Sequence, residues 1–171
     1  MRELRAGDLV LAPLRAEDAA AMYAVLRDPA LYRHLDYPPP PSVEHLQALY
    51  ERLEQRKSPD GTEDWLNWTV RVGDGAIVGF VQATVQPNRA AWIAYVIGTA
   101  YQRQGIATRA MHCLLDHLAV EYGAKRFLAT TEAGNEASIG VLHRLGFHDA
   151  PPEMARRHEL TATERLFFRG A

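Results

Sequence analysis

Apolar residues recur along the chain with two different spacings, and these spacings predict both helices and strands. Residues 9–14 form an apolar run that predicts a first strand. Residues 17–26 open with two acidic residues and then place apolar side chains three and four positions apart, which predicts a helix that ends before Pro29. Four prolines at 38–41 exclude a helix interior, and Ser42 after them predicts the N-cap of a second helix.

The middle of the chain predicts strands joined by tight turns. Residues 67–71, 77–85 and 91–97 carry β-branched and aromatic residues in short runs, which is typical of strands. Gly73-Asp74-Gly75 and Pro87-Asn88 separate these runs and are turn signals. The three runs are therefore predicted to form consecutive antiparallel strands.

The last part of the chain predicts a return to helices and then a closing pair of strands. Residues 106–122 and 135–145 carry apolar residues at helical spacing, and residues 126–131 between them predict a strand. Residues 156–160 and 164–168 predict a final hairpin. The whole pattern predicts an α+β fold with a mixed, mostly antiparallel central sheet of about seven strands flanked by about four helices. We expect residues 1–171 to form a single domain.

Composition narrows the class of protein. The chain has 171 residues, of which 47% are hydrophobic and 23% charged, and this is ordinary for a soluble globular protein. Its net charge of -2 does not provide the basic face that nucleic-acid phosphates require. No apolar run approaches the ~18 residues of a membrane span. We therefore expect a cytoplasmic protein that binds neither nucleic acid nor a membrane.

The sequence does not predict a metal site. Cys113 is the single cysteine, which excludes an intramolecular disulfide and a cluster of thiolate ligands. Cys113 and His117 lie four positions apart on a predicted helix, but two ligands do not make a metal site. We therefore expect no metal cofactor.

An unusual loop stands between the strand at 91–97 and the helix that follows it. A strand that leads into a helix through such a loop gathers free backbone N–H groups at the positive end of the helix dipole, where an anion binds well. The glycine allows close approach of the backbone, and the threonine adds a hydroxyl group. The alternative is an ordinary helix start. The residues of the loop are Gln102, Arg103, Gln104, Gly105, Ile106, Ala107 and Thr108.

Two motifs resemble those of the GNAT superfamily of acetyl-CoA-dependent N-acetyltransferases. Gln102, Gly105 and Ala107 match the family's pyrophosphate loop, Arg/Gln-x-x-Gly-x-Gly/Ala. Residues 135–147 resemble its Asn-x-x-Ser helix that ends in Leu-Gly-Phe. The sequence of this motif is most similar to the branch that contains ribosomal-protein N-terminal acetyltransferases. The opening residues 9–29 are also typical of that branch, so the resemblance spans nearly the whole chain.

The resemblance implies how acetyl-CoA would bind. In this family the fourth and fifth strands, which are the strand before the loop and the strand after the helix that follows it, splay apart. The pantetheine arm lies between them like an extra strand. Backbone groups near Val96 and Ile97 would then pair with the arm, the loop amides at 102–108 would hold the pyrophosphate, and Asn135 would contact the arm. The amine attacks the thioester directly, without a covalent enzyme intermediate.

The resemblance also implies a proton donor for the departing thiolate. Many relatives use a tyrosine of the last helix, but this sequence has Leu142 at that position. Ser138, which belongs to the Asn-x-x-Ser motif, is the candidate acid. The alternative for Ser138 is an ordinary helix serine bonded to a backbone carbonyl.

The general base is less well marked. Alignment to the ribosomal-protein branch indicates Glu159 on the penultimate strand, and the alternative is an exposed carboxylate without a catalytic role. Tyr95, Glu132 and His34 are weaker candidates, and water could also take the proton.

The expected function is transfer of an acetyl group to an amine, on either a protein N-terminus or a small molecule. The acceptor is expected between the first two helices and the final hairpin, and the protein is expected to be a monomer or a homodimer. Because the helix tyrosine is missing, a non-catalytic module that binds or senses acyl-CoA is the alternative.

Overall fold

The computed structural model describes residues 1–35 and 37–171, and within these residues eight strands form one sheet. The strand order is β1-β2-β3-β4-β5-β6-β8-β7. All neighbours pair antiparallel except β5 and β6, which are parallel. The strands are β1 Leu4–Ala6, β2 Leu9–Pro13, β3 Asp64–Val72, β4 Ala76–Val85, β5 Ala90–Ile97, β6 Arg126–Glu132, β7 His148–Asp149 and β8 Glu164–Gly170.

The four predicted helices are present close to their predicted bounds, and the described residues add a short fifth. Ser42 accepts a hydrogen bond from the His45 N–H and so caps the second helix as its residue type predicts. At the end of the fourth helix, Gly146 has a φ of +79°, the left-handed conformation that glycine adopts without strain. The helices are α1 Ala19–Leu26, α2 Val43–Leu53, α3 Ile106–Glu121, α4 Glu136–Arg144 and α5 Pro152–Ala155.

The helices cover the two faces of the sheet differently. We call the face packed by α3 and α4 the back face, and it holds the largest core cluster, which includes Trp68, Met111 and Phe127. We call the opposite face the front face. There α1 and α2 pack on one part of the sheet, together with side chains such as Phe80 and Val96. A separate cluster around Trp92, Leu128 and Met154 covers another part of the front face. These two front clusters leave the sheet between them uncovered.

The end of the chain differs from the sequence prediction. The prediction of a hairpin between residues 156–160 and 164–168 is wrong, because residues 156–160 contain no strand. Instead β7, directly after the Gly146 cap, pairs with β8 and supplies its second neighbour. Pro152 is the first residue of α5, where its fixed φ suits a helix. The segment between β7 and β8 therefore starts with a short helix instead of a strand, and it packs on the front face. The strand β1 was not predicted, since three residues carry too short a pattern.

Candidate active site

The parallel strands β5 and β6 separate along their length. They pair only where residues 90–92 face residues 126–128, although β5 continues to Ile97 and β6 to Glu132. Beyond this pairing the two strands diverge and leave a gap, which we call the strand opening. It corresponds to the splay that the sequence resemblance implies. The opening exposes one backbone edge of β5 to a ligand.

Only alternate residues of β5 present backbone groups to the strand opening. A Cβ on Gly79 of β4 would collide with the Val96 carbonyl oxygen, so this carbonyl faces β4. Because successive backbone groups of a strand point to opposite edges, those of Tyr95 and Ile97 face the opening. The Ile97 carbonyl already accepts a hydrogen bond of 2.9 Å from Gln102 Nε2. The backbone of Ile97 thus faces the strand opening, whereas that of Val96 faces β4, and the pairing of either residue with the pantetheine arm stays a prediction.

The loop at the end of β5 presents backbone N–H groups to solvent. Arg103 and Gly105 have left-handed φ angles of +62° and +74°. Arg109 N–H donates to the Gly105 carbonyl at 3.0 Å, so the N–H groups of residues 106–108 precede the regular helical bonds of α3. Within the described part of the chain, no side chain caps this helix. The loop therefore combines unpaired donors with the positive end of a sixteen-residue helix.

Ser138 and Tyr95 meet at the back of the strand opening. Their hydroxyl oxygens are 2.9 Å apart, and Tyr95 also donates to the Ser138 carbonyl at 3.3 Å. Burial raises the pKa of Tyr95 and the hydrogen bond to Ser138 opposes this shift, so the phenol is protonated at neutral pH. Ser138 is therefore bonded to a side chain of β5, and this contact was not predicted from the sequence.

The start of α4 fixes the position of Ser138. The Asn135 side chain accepts a hydrogen bond of 3.1 Å from the Ser138 N–H and caps the helix. Leu142, which stands where many relatives have a tyrosine, is only 1% exposed and belongs to the core. Its side chain therefore cannot replace the missing hydroxyl group. Tyr95, from β5, instead brings a phenol to Ser138 in the first turn of α4.

His34 and Glu132 contact each other on the front side. His34 Nδ1 lies 3.3 Å from Glu132 Oε2, although the two residues are 98 positions apart in the sequence. His34 follows a single 3-10 turn after α1, and Glu132 is the last residue of β6. Each residue was predicted as a separate candidate base, and the fold brings the two side chains together.

Glu159 lies apart from these groups. It is exposed, in the irregular segment between α5 and β8, and the prediction that it stands on a strand is wrong. The neighbouring His158 packs its ring against Trp92 at 4.9 Å between centroids, which anchors this segment on the front face. The catalytic role of Glu159 stays a prediction that no contact in the described residues supports.

An exposed strip of the sheet leads to the strand opening from the front. Gln82 and Ala94 are paired neighbours on β4 and β5, and both are exposed. Thr130 is exposed on β6 at the corresponding level. We call the strip formed by Gln82, Ala94 and Thr130 the front groove. It lies between the two front clusters, and binding of the acceptor on this side of the sheet stays a prediction.

A cavity of about 270 Å³ also opens on the front face, but it is not at the strand opening. Its walls include Arg126, Leu128 and His158, which lie where β5 and β6 are still paired. The ring contact between His158 and Trp92 stands between this cavity and the front groove. We therefore do not assign the transfer chemistry to it.

Two further features bear on the class of protein. Throughout residues 1–35 and 37–171, no helix combines the length and apolar character needed to cross a membrane. Nor do these residues contain a group of three or more histidine, cysteine, aspartate or glutamate side chains placed to hold a metal ion.

Comparison with known proteins gives a consistent family. A model described as the acetyltransferase (GNAT) domain matches residues 8–148, more than four fifths of the chain. No curated protein sequence matches. Among solved structures, a RimL ribosomal L7/L12 alpha-N-protein acetyltransferase in complex with coenzyme A has a TM-score of 0.80 at 22% identity, with 98% of this chain and 97% of that chain covered.

Two other solved structures have a similar fold and contain CoA or a CoA disulfide. Mycobacterium smegmatis RimJ in complex with CoA-disulfide has a TM-score of 0.78 at 26% identity and covers 99% of this chain and 86% of its own. Spermidine N-acetyltransferase from Vibrio cholerae in complex with CoA and spermine has a TM-score of 0.77 at 15% identity, with 95% of both chains covered.

Proposed function

The chain belongs to the GNAT acetyltransferase family, and from this we propose that it moves an acetyl group from acetyl-CoA directly to an amine. The acceptor amine belongs to a protein N-terminus or to a small molecule. The observation that carries the proposal is the meeting of the uncapped α3 loop, the strand opening and the Tyr95–Ser138 pair at the end of β5. The coenzyme A complexes of similar folds support the same choice of co-substrate.

The residues at this place fit acetyl-CoA. The N–H groups of residues 106–108 offer donors for a pyrophosphate. Gly105 has a left-handed φ, and a Cβ built on it would meet no atom within 4 Å, so the space beside its Cα is open. Arg103 can add a positive charge beside the loop. Ile97 offers its N–H to an extended amide arm in the strand opening, and the side-chain amide of Asn135 stands at its far side. Bound acetyl-CoA supplies the thioester whose carbonyl carbon the amine attacks.

Tyr95 and Ser138 are proposed to supply the proton that the departing sulfur needs. In this proposal the Tyr95 hydroxyl gives its one hydrogen to Ser138 Oγ instead of the Ser138 carbonyl, which leaves the hydrogen of the serine hydroxyl for the sulfur. The raised pKa of Tyr95 keeps its proton in place at neutral pH. This pair takes the place of the helix tyrosine that Leu142 excludes.

The acceptor is proposed to enter along the front groove. The groove reaches the strand opening on the face opposite to Tyr95 and Ser138, so the amine and the leaving sulfur have separate proton-transfer groups. The solved structures named above carry names for acetylation of a protein α-amino group and of spermidine, and both groups are amines. Fold alone does not choose between them.

The first experiment is a calorimetric titration with acetyl-CoA, followed by thermal melting. Ligand at a hundred times its Kd should stabilise the fold by about 2.7 kcal/mol. Release of CoA is then measured with a panel of polyamines, aminoglycosides, amino acids and peptides with free N-termini. Acetyl-CoA binding with acetyl transfer to one acceptor class supports the proposal, and absence of acetyl-CoA binding overturns it.

A non-catalytic acyl-CoA-binding module is the second candidate. It is favoured by the buried Leu142 at the usual tyrosine position and by the exposed position of Glu159. Tight acetyl-CoA binding without CoA release across the amine panel would support this candidate.

A further inference from the structure

The pair formed by His34 and Glu132 stands at the wide end of the strand opening. The last register pair between β5 and β6 joins Trp92 to Leu128, and counting four residues further along each strand leads to Val96 on β5 and Glu132 on β6. Val96 is next to the last residue of β5, so Glu132 stands beside the point where the strands are furthest from their pairing. His34 reaches this point from the segment that joins α1 to α2.

The pair and the Tyr95–Ser138 contact lie on opposite faces of the sheet. Alternate residues of β6 face the same side, and Leu128 belongs to a front cluster, so Glu132 also faces the front. Tyr95 packs with the back cluster and meets α4 there. An acceptor in the front groove would therefore meet the His34–Glu132 pair, while the coenzyme A sulfur that the amine displaces would lie near Ser138.

The backbone couples Glu132 to the start of α4. The N–H of Asn135 donates to the Glu132 carbonyl at 3.0 Å, and the Asn135 side chain caps the turn that carries Ser138. Glu132, which contacts His34, and Ser138 are thus held by one short segment, residues 132–138. A fixed separation between base and acid is what direct transfer between two bound substrates requires.

The charges around the pair explain why Glu132 needs a cationic or hydrogen-bonding partner. Glu132 and Glu164 are directly opposite on β6 and β8, and like charges at such positions repel. Glu164 accepts a hydrogen bond of 2.8 Å from the Thr161 N–H. His34 is the partner of Glu132. Among the described residues, the charged groups on this side of His34 are Glu132, which it contacts, and Glu164, which is opposite Glu132 on β8.

We propose that His34 is the general base of the reaction and that Glu132 is the positioning residue that orients its ring. This inference rests on the proposed acetyl transfer. A hydrogen bond from Nδ1–H to Glu132 leaves Nε2 as the acceptor, on the opposite edge of the imidazole. The His34 side chain is 34% exposed, so the ring can be reached from solvent.

The proton balance of the step is complete with these groups. An acceptor that arrives as an ammonium ion gives one proton to His34 Nε2, and His34 later passes it to water. The neutral amine forms the new carbon–nitrogen bond while the carbon–sulfur bond breaks. The amide nitrogen loses a second proton to solvent, and the sulfur gains one through Ser138, which solvent restores. Neither an oxidant nor a metal takes part.

The test compares pH profiles of kcat/KM for the wild-type protein, His34→Gln and Glu132→Gln, each with two acceptor amines of different basicity. A limb due to the amine moves with the amine, whereas a limb due to a group of the enzyme, such as His34, is common to both acceptors. His34→Gln should lose the common limb and lower kcat/KM by roughly 10²-fold or more at neutral pH. The loss should shrink at high pH, where the acceptor is already neutral.

His112→Gln is the matched control. His112 also pairs with a carboxylate, Asp116, at 3.1 Å, but on an exposed part of α3. This variant should keep the wild-type profile. Acetyl-CoA should raise the melting temperature of all four proteins equally, which shows that each is folded and loaded.

A second readout follows the ring without turnover. The ¹⁵N chemical shifts of His34 in the free protein should report the Nδ1–H tautomer, and Glu132→Gln should convert it to a mixture. The proposed function fails if the wild-type protein transfers no acetyl group. The base assignment alone fails if the wild-type protein is active but His34→Gln keeps the common limb, or loses the same factor at every pH.

Discussion

The hydroxyl oxygen of Tyr95 lies 2.9 Å from that of Ser138 and joins β5 to the first turn of α4 across the strand opening. One residue comes from the sheet and the other from the Asn-x-x-Ser motif. The contact links residues that are 43 positions apart in the chain and ties β5 to α4 beside the strand opening. The same contact is the proposed route of the proton to sulfur.

Removal of either hydroxyl should therefore slow the chemical step more than it weakens binding. Ser138→Ala should lower kcat by about 10²-fold, within the usual range for a general acid, with KM little changed. Tyr95→Phe should lower kcat less, because the serine proton remains. The kinetics are measured by CoA release at saturating acetyl-CoA.

The double variant separates a joint role from two separate roles. If Tyr95 acts through Ser138, the double variant should be no slower than Ser138→Ala alone. Multiplication of the two single effects would contradict the relay and leave Tyr95 with a role in packing.

The loop at the start of α3 allows a test that changes charge alone. Gly105 has a φ of +74°, and asparagine and aspartate tolerate this conformation better than other side chains. A Cβ at this position meets no atom within 4 Å, so neither side chain is crowded. Gly105→Asp should lower acetyl-CoA affinity by tenfold or more, because its carboxylate repels the pyrophosphate, on the order of 1.4 kcal/mol.

Gly105→Asn is the control, since it has the same size and backbone conformation without the charge. Calorimetry should give it an affinity much nearer to that of the wild-type protein. Equal affinities for the two variants would mean that the phosphates do not bind at this loop.

The sequence predicts the parts of this protein that depend on local patterns. Ser42 and Gly146 are recognised as helix boundaries because a cap depends on residues within one turn of the chain. The strands of the central sheet are predicted because the alternation of their side chains reflects burial. The loop between β5 and α3 is recognised from Gln102, Gly105 and Ala107 because its backbone geometry is also local, and its binding of phosphate stays a prediction.

The sequence predicts less where residues far apart in the chain meet. His34 and Glu132 carry no shared pattern, since their contact depends on how the segment after α1 crosses the end of β6. The alternation along β5 does place Tyr95 on the same face as Ile93 and Ile97, and this signal could have directed it toward α4. The partner of β8 was misassigned because two residues of β7 are too few to carry a strand pattern.

The close contact of β4 and β5 beside the strand opening predicts a strong effect at Gly79. A Cβ there would collide with the Val96 carbonyl and lie 3.0 Å from Ile97 Cα, and both are backbone atoms that cannot turn away. Gly79→Ala should therefore lower the free energy of unfolding by about 3 kcal/mol or more, since overpacking adds to backbone strain. Urea unfolding followed by circular dichroism measures this change.

Gly73→Ala is the matched substitution in the turn before β4. Its φ of +53° is left-handed, but a Cβ meets nothing within 4 Å, so only the backbone term of roughly 1–2 kcal/mol applies. Similar losses at the two positions would show that β4 can move away from β5.

His117 predicts how stability changes with pH. Its side chain is 8% exposed between the rings of Trp68 and Tyr122, and within the described residues neither ring nitrogen has a hydrogen-bond partner. Burial lowers the pKa of His117, the positive charges of Arg2 and the N-terminus lower it further, and Glu121 opposes them. The ring is therefore held in its neutral form.

The unfolded chain, with a histidine pKa of about 6.5, takes up this proton first as the pH falls. Stability that depends on neutral His117 is therefore complete above about pH 6.5 and decreases as the pH drops toward the lowered value, at no more than about 1.4 kcal/mol per pH unit. His117→Phe keeps a ring between Trp68 and Tyr122 and removes the proton-binding site. The difference in unfolding free energy between pH 7.5 and pH 5.5, measured in urea, should be smaller in this variant, whereas exposed His112→Gln should keep the wild-type difference. An equal pH dependence in all three proteins would mean that His117 stays accessible to protons in the folded state.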